Sequence, residues 1–439
     1  MVSVGLSSSY SLPLQKGSLL PSIVGQTKFQ GLRERQPSKA FTPLFTPQGL
    51  RQRQPCDFVS ASLPKTGFGL NAPAHSSPNR FEALPIDWPA DWNGSSIQVE
   101  GSTIKEADIR RLFENAAKQA ALSVKQLPEK DAEDAFGASA IVVHRSQQHG
   151  SQQSDLSRYN NKVHRKDAGY YAYCAEVQTM LNAASPNGEK GFIPLLAVVN
   201  NNAPYKLGVR YAPCGPCLNE IQAAVWGNHP KARMSEDSLL AFVDTSKGKK
   251  GIIVRKVKDV LPLVPITSYS KTPIWNLQFN ISDSAKTALP FQRFPRLFKL
   301  AVRLGVTVAR WRAQQAEKKG VLNSKGPSIG AAILKTKWYG YRFLSGSNAY
   351  TNGRSYAPPF QNIIEDLPTT HRTQLLGGIL VSNQPNINVL NIADADLLAY
   401  TAKKKNKLLI ITVNNNIINV KTFTDYIPYS YHLAHHTKK

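Results

Sequence analysis

The sequence predicts an α/β fold with helices laid over a sheet. Two observations carry this. Segments of helical periodicity alternate along the chain with short strands rich in small and β-branched residues. The order helix, then small-residue strand, also occurs twice: Ser139-Ala140 in one copy and Gly330-Ala331 in the other lie about 190 residues apart. Such a repeat suggests two copies of one domain. The plainer alternative is a coincidence between two α/β domains.

The elements follow in order. Residues 1 to about 80 are rich in Ser, Pro, Gln and Gly. They hold two acids, Glu34 and Asp57, against nine Lys and Arg, and no sustained hydrophobic period. This reads as a disordered or targeting extension, taken to residue 95. It fits an organellar transit segment or an untargeted tail. IKEADIRRLFENAAKQAALSVKQL (104–127) has helical spacing, with Ile109, Leu112, Phe113, Ala116 and Ala120 on one face. AFGASAIVV (135–143) reads as a strand and the polar residues 144–168 as a loop. CAEVQTMLNAA (174–184) is a helix, FIPLLAVVNN (192–201) a buried strand, CLNEIQAAVW (217–226) a helix and SLLAFVD (238–244) a strand. A second block begins near 290. It holds a helix over 298–320 and strands at 328–336, 375–382 and 408–415. The boundaries expected are a catalytic domain over 96–270 and a second domain over 271–439.

Composition limits the function classes. The 439 residues are 41% hydrophobic, 19% charged and carry net +25. No apolar run is long enough to span a membrane. The basic balance suits nucleic acid, anionic lipid or phosphate-bearing ligands, or simply aids solubility. His164, Arg165 and Lys166 form a charged run that reads as a solvated loop or a phosphate contact. Three of the four cysteines, Cys174, Cys214 and Cys217, fall in two short motifs, and Cys56 stands apart. That pattern argues for metal ligation in a reducing compartment, where a lone CxxC would also suit a redox pair.

Zinc takes four tetrahedral ligands, and a catalytic site keeps one position for water. Cys174, Cys214 and Cys217 supply three thiolates, each at the start of a predicted helix, where the helix dipole favours an anion. CxxC spacing lets both sulfurs reach one metal from a single turn. Pro213 and Pro216 suit the entry and first turn of a helix. Glu176, two residues after Cys174, lies near the metal without ligating it, where a carboxylate can move protons between water and substrate. The set C-A-E followed by P-C-G-P-C fills the zinc deaminase signature, [HC]-x-E then P-C-x-x-C. The competing reading is a closed zinc knuckle with His164 or His229 as fourth ligand.

At these residues the chain resembles the cytidine deaminases of nucleoside salvage. The likeness extends to LLAVVNNNAPYKLGVRYAPCGPC around the second motif, to VRKVKDVLPLV (254–264), and to AFGASAI, with Phe136 in the place of a ring that packs on the pyrimidine. Asn161 fits the first residue of the family's N-x-E element, and Val163 stands where that element has the glutamate that holds a sugar hydroxyl. LSGSNAYTNGRSYAPPFQNII (344–364) looks like the catalytically silent second domain of the two-domain, dimeric members. Pro358-Pro359-Phe360-Gln361 stands there in the place of a ligand and an acid.

The resemblance implies two three-layer α/β/α domains with mixed central sheets. It implies one Zn2+ on Cys174, Cys214 and Cys217, with Glu176 as proton shuttle and Phe136, Asn161 and Ala175 as substrate contacts. The reaction expected is hydrolysis of cytidine or deoxycytidine to uridine or deoxyuridine, zinc-bound hydroxide attacking C4. Alternatives of other classes are a polynucleotide cytosine deaminase, favoured by net +25 and Val163, and a non-catalytic zinc relic, against which the intact Glu176 speaks. A homodimer is expected, in the cytoplasm or in an organelle reached through the extension.

Overall fold

The computed structural model describes residues 81–126, 135–146, 150–159, 174–203, 208–246, 250–288, 295–318, 328–337, 340–348, 358–365, 375–402 and 407–430. The first unit runs β1 (Ile86–Asp87), β2 (Ser96–Val99), β3 (Ser102–Lys105), α1 (Glu106–Gln126), β4 (Phe136–Ser146), β5 (Gly150–Tyr159), α2 (Ala175–Leu181), β6 (Gly191–Asn200), α3 (Gly215–Val225), β7 (Ala232–Arg233), β8 (Leu239–Asp244), β9 (Gly251–Lys256) and α4 (Val257–Val260). The second runs β10 (Gln278–Ile281), α5 (Asp283–Ala288), α6 (Pro295–Lys318), β11 (Ile329–Lys337), β12 (Gly340–Ser347), α7 (Pro359–Glu365), β13 (Leu375–Ser382), α8 (Ile392–Thr401), β14 (Leu409–Asn414), β15 (Ile417–Thr422) and α9 (Phe423–Tyr426).

The two sheets repeat one topology. The order is β1-β9-β8-β6-β4-β5 in the first, with β7 beside β6, and β10-β15-β14-β13-β11-β12 in the second. The direction of each pairing matches as well. β4 is antiparallel to β5 and β6, as β11 is to β12 and β13. The pairs β6·β8 and β13·β14 are parallel. Even the irregularities coincide, with a register shift between Ile141 and Val143 in β4 and between Leu334 and Lys335 in β11. Mixed sheets with helices between the strands therefore bear out the α/β expectation at this level.

Strand alternation sorts the core. Ala138, Ala140 and Val142 of β4 face one cluster, while Ile141 and Val143 face another that contains Ile109, Leu112, Phe113 and Ala116 of α1. In the second unit α6 buries Phe298, Ala301, Val302, Val306 and Ala309 against the outer face of its sheet. The remaining cluster joins the inner faces of both units, from Leu218 and Ile221 of α3 to Leu398 and Ala399 of α8. The helix layers of the two units thus share one apolar core.

Three sequence expectations change. Residues 81–95, assigned to the extension, are folded: Phe81 and Leu84 are buried, and Ile86–Asp87 pairs with Ile252 and Ile253. Residues 144–168 are not all loop, because β5 pairs with β4 along its whole length. Its sequence, GSQQSDLSRY, hid the strand because it lies at a sheet edge, where polar side chains are favoured. Asp155 there meets Arg111 at 2.8 Å. The chain also leaves the first unit before residue 270. The carbonyls of Pro262 and Leu263 accept from Gln222 of α3 and from Trp226 just after it, whereas Ile266 and Ser268 already bond to the second unit. Residues 1–80 lie outside the described residues. No described helix is long and apolar enough to cross a membrane.

Candidate metal centre

Each of the three motif cysteines sits at a helix start. Cys174 is the N-cap of α2 and Cys214 the N-cap of α3, both with extended backbone, and Cys217 lies in the first turn of α3. The carbonyls of Cys174 and Cys214 accept the first helical bonds, from Gln178 and Leu218 at 2.9 Å each. Neither cysteine side chain caps its own helix. Their sulfurs instead contact the other motif cysteines. Pro216 tolerates the first turn of α3, where an N–H has no helical partner in any case.

The sulfurs of Cys174, Cys214 and Cys217 all lie within 4.8 Å of one another, and Cys214 and Cys217 are 3.4 Å apart. All three thiols are reduced. Cys217 is buried, and Cys174 and Cys214 are partly exposed as residues. No second such group of metal-binding side chains occurs among the described residues.

Electrostatics show what a cation would relieve in this cluster. Cys214 and Cys217 are both pushed above the ordinary thiol range, first by contact with Cys174 and then also by burial. Three adjacent thiolates repel one another, and burial leaves no water to screen them. A divalent cation removes both penalties, because a ligating thiol is deprotonated outright. Soft sulfur donors at this separation suit zinc or a similarly soft ion. The donor set fits a metal by that chemistry.

Glu176, in the first turn of α2, is 5% exposed. Burial, and then the charge of Cys214, raise its pKa to about 8, while its own backbone N–H and Cys217 act in the opposite direction. Its carboxyl contacts a sulfur of the cluster and is not one of the three converging ligands. Ala175 is fully buried at the head of α2, its carbonyl accepting from Thr179 Oγ1 at 2.8 Å.

Phe136 opens β4, and its ring meets Tyr211 edge to face at 6.4 Å. Tyr211 lies in the loop that leads to Cys214, so the pyrimidine contact expected at Phe136 adjoins the second motif. Tyr211 itself was not singled out from the sequence, although it stands in YAPCGPC. Asn161 and Val163 lie outside the described residues, as do His164, Arg165 and Lys166.

His229 is not a fourth ligand. Its Nδ1 accepts from the main-chain N–H groups of Lys231 and Ala232 at 3.2 and 2.9 Å, which leaves the proton on Nε2. Nε2 stands 3.8 Å from Glu220, but the contact is not an ion pair. Burial lowers the His229 pKa to about 4 and raises that of Glu220, so both groups are driven towards neutrality.

The second unit has other chemistry at the equivalent turns. Asn391 is the N-cap of α8, and Asp394 occupies the place in α8 that Cys217 holds in α3. Pro358 precedes α7 as Cys174 precedes α2. Asp394, 3% exposed, accepts from the N–H groups of Phe360 and Gln361 at 3.0 and 2.8 Å. A buried carboxylate thus ties two helix starts together where the first unit converges three thiols. Comparison with protein-family models and with curated proteins finds no match to this chain.

Proposed function

We propose that this chain is a zinc-dependent hydrolase that deaminates a cytosine ring, in the manner of the two-domain cytidine deaminases, with cytidine or deoxycytidine as substrate. The observation that carries the reading is the convergence of Cys174, Cys214 and Cys217 at two helix starts, with Glu176 buried against them. A purely structural knuckle has no use for a desolvated carboxyl beside its ligands. The repeated topology of the two sheets supports the two-domain form, with the second unit, residues 266–430, as a partner that carries Asp394 in place of a thiol.

Cys174, Cys214 and Cys217 would hold the zinc. When bound, it supplies Lewis acidity that makes water nucleophilic at neutral pH. The rest falls to the chain's own groups. Glu176 takes a proton from the attacking water and gives it to ring N3. It carries a second proton to the leaving amine. The C4–O bond forms, the C4–N bond breaks, and ammonia departs. Phe136 would pack on the ring, with Tyr211 behind it.

The test is a substrate panel of cytidine, deoxycytidine, cytidine phosphates and single-stranded RNA and DNA, with released ammonia and bound zinc both measured. One zinc per chain and turnover of a nucleoside are expected. Cys217→Ser should lose the metal, and Cys56→Ser should keep it. Glu176→Gln should keep zinc and fold while losing activity by about 10⁴-fold, the upper end for a general acid–base group, because one group serves several transfers. Near-normal turnover by Glu176→Gln sinks the mechanism. Turnover of polynucleotide alone selects the second reading, which net +25 favours.

A further inference from the structure

The N-terminus of α3 carries two of the three sulfurs, yet its own N-cap does not satisfy it. Cys214 makes no side-chain cap, and the first helical N–H, that of Gly215, is buried. A buried N–H without a partner is costly, and the acceptor here comes from the other unit. Asp396 of α8, 2% exposed, accepts the Gly215 N–H through Oδ2 at 3.0 Å. Its Oδ1 accepts from Ser430 Oγ at 2.6 Å.

The approach is so close that only glycine fits. A Cβ at Gly215 would stand 2.7 Å from Asp396 Oδ2 and 2.8 Å from its Cγ. The glycine of CGPC is thus explained by a side chain 181 residues away. Asp396 is in turn held in place. Asp394, on the same turn of α8, is tied to the start of α7. The segment that carries Ser430 is clamped to the first unit. Arg210 donates to the Pro428 carbonyl at 2.9 Å, Arg255 Nε donates to the Tyr429 hydroxyl at 3.0 Å, and Phe242 meets the Tyr429 ring edge to face at 5.8 Å.

We propose that Asp396 is a positioning residue for the metal centre: it fixes Gly215 from across the unit boundary, and so fixes the spacing of the Cys214 and Cys217 sulfurs. The second unit, which places a carboxylate where the first has a thiol, completes the first unit's ligand turn. This rests on the reading of the three cysteines as metal ligands. Groups that orient ligands from outside the metal's own shell typically change affinity about 10- to 100-fold when removed.

The experiment uses the full chain and titrates Co2+, followed by its sulfur charge-transfer and d–d absorption, with Zn2+ competition against a chelator. Asp396→Ala should weaken both metals at least 10-fold and alter the d–d bands that report tetrahedral geometry. Asp396→Asn should restore affinity and spectrum, since its amide oxygen accepts from Gly215 and its NH2 donates to Ser430. Failure of the unaltered chain to bind either ion overturns the metal centre and the proposal together. Equal affinity and identical spectra for the unaltered and Asp396→Ala chains overturn the positioning role and leave the metal centre standing. If Asp396→Ala does not fold, Ser430→Ala carries the test. It frees one oxygen of the carboxylate and should weaken metal binding several-fold, and unchanged binding there overturns the proposal.

Discussion

His229 shows how a single side chain can be chemically suited to one role and physically committed to another. Histidine is a common zinc ligand, and this one follows the helix that bears Cys214 and Cys217. Its Nδ1 is used up by two main-chain donors, and burial with nearby Lys190 holds its pKa near 4. The folded value lies below the ordinary one of 6.5, so the folded chain favours the neutral ring. The stability this group contributes is complete above pH 6.5 and is lost as pH falls through about 4, because the unfolded chain gains the proton first. The loss should be on the order of 2 kcal/mol. Denaturant titrations of the wild type and of His229→Gln at pH 7 and pH 4 check this. The gap between the two pH values should be smaller in the variant, and equal gaps would remove His229 as the cause. The offsets 174/176 and 214/217 were legible because one turn of helix fixes each pair, whereas the meeting of the two helix starts is tertiary. The commitment of His229 was not, because it depends on a turn that presents two N–H groups to one ring.

At the scale of elements, the same helix–strand contact is made twice. Gly137 of β4 lies against Ala116 and Ala120 of α1, and Gly330 of β11 lies against Ala309 and Ala313 of α6. In each case a Cβ would run into a helix carbonyl oxygen and stand 2.6 Å from the next turn's main-chain nitrogen. Backbone cannot yield as a rotamer can, so Gly137→Ala and Gly330→Ala should each destabilise by about 2–3 kcal/mol. Chemical denaturation measures both. A cost below about 0.5 kcal/mol at either site, within the range of ordinary surface changes, would show that the helix shifts freely. Both helices were readable from their apolar period, since Ile109, Leu112, Phe113, Phe298 and Val302 recur at three- and four-residue spacing. Helix α8 was not, because Ile392, Ala395, Leu398 and Ala399 are interrupted by Asp394 and Asp396, whose carboxyls bond to Gln361 and Ser430 outside the helix.

For the whole molecule, the two units share the core between their helix layers, and the start of α3 is completed from α8. A chain ended after residue 265 keeps all four motif residues but exposes the apolar face of α3 and leaves the Gly215 N–H without Asp396. It should aggregate or bind a hydrophobic dye, and should retain metal at least 10-fold more weakly than the full chain. Light scattering and metal titration on both forms decide this. A soluble, monomeric and fully metal-loaded fragment would show that the second unit has another task. The same light scattering tests the homodimer that the resemblance implies, for which the expected result is twice the chain mass.

The sequence by itself determined what depends on near neighbours: the C-x-E and C-x-x-C offsets, the periods of α1 and α6, the buried strands β6, β8, β13 and β14, and the hint of a repeat, although the structure matches Gly330-Ala331 to Gly137-Ala138 and not to Ser139-Ala140. Tertiary structure decided the rest. It made an edge strand of the polar residues Gly150–Tyr159, since only pairing with β4 satisfies their backbone. It brought Phe81 and Leu84 into the core, and it moved the unit boundary to the stretch between Leu263 and Ile266. It also set Asp396 against Gly215. No local pattern announces that contact, because the donor it satisfies lies 181 residues away and is left over only once the two helix layers have met.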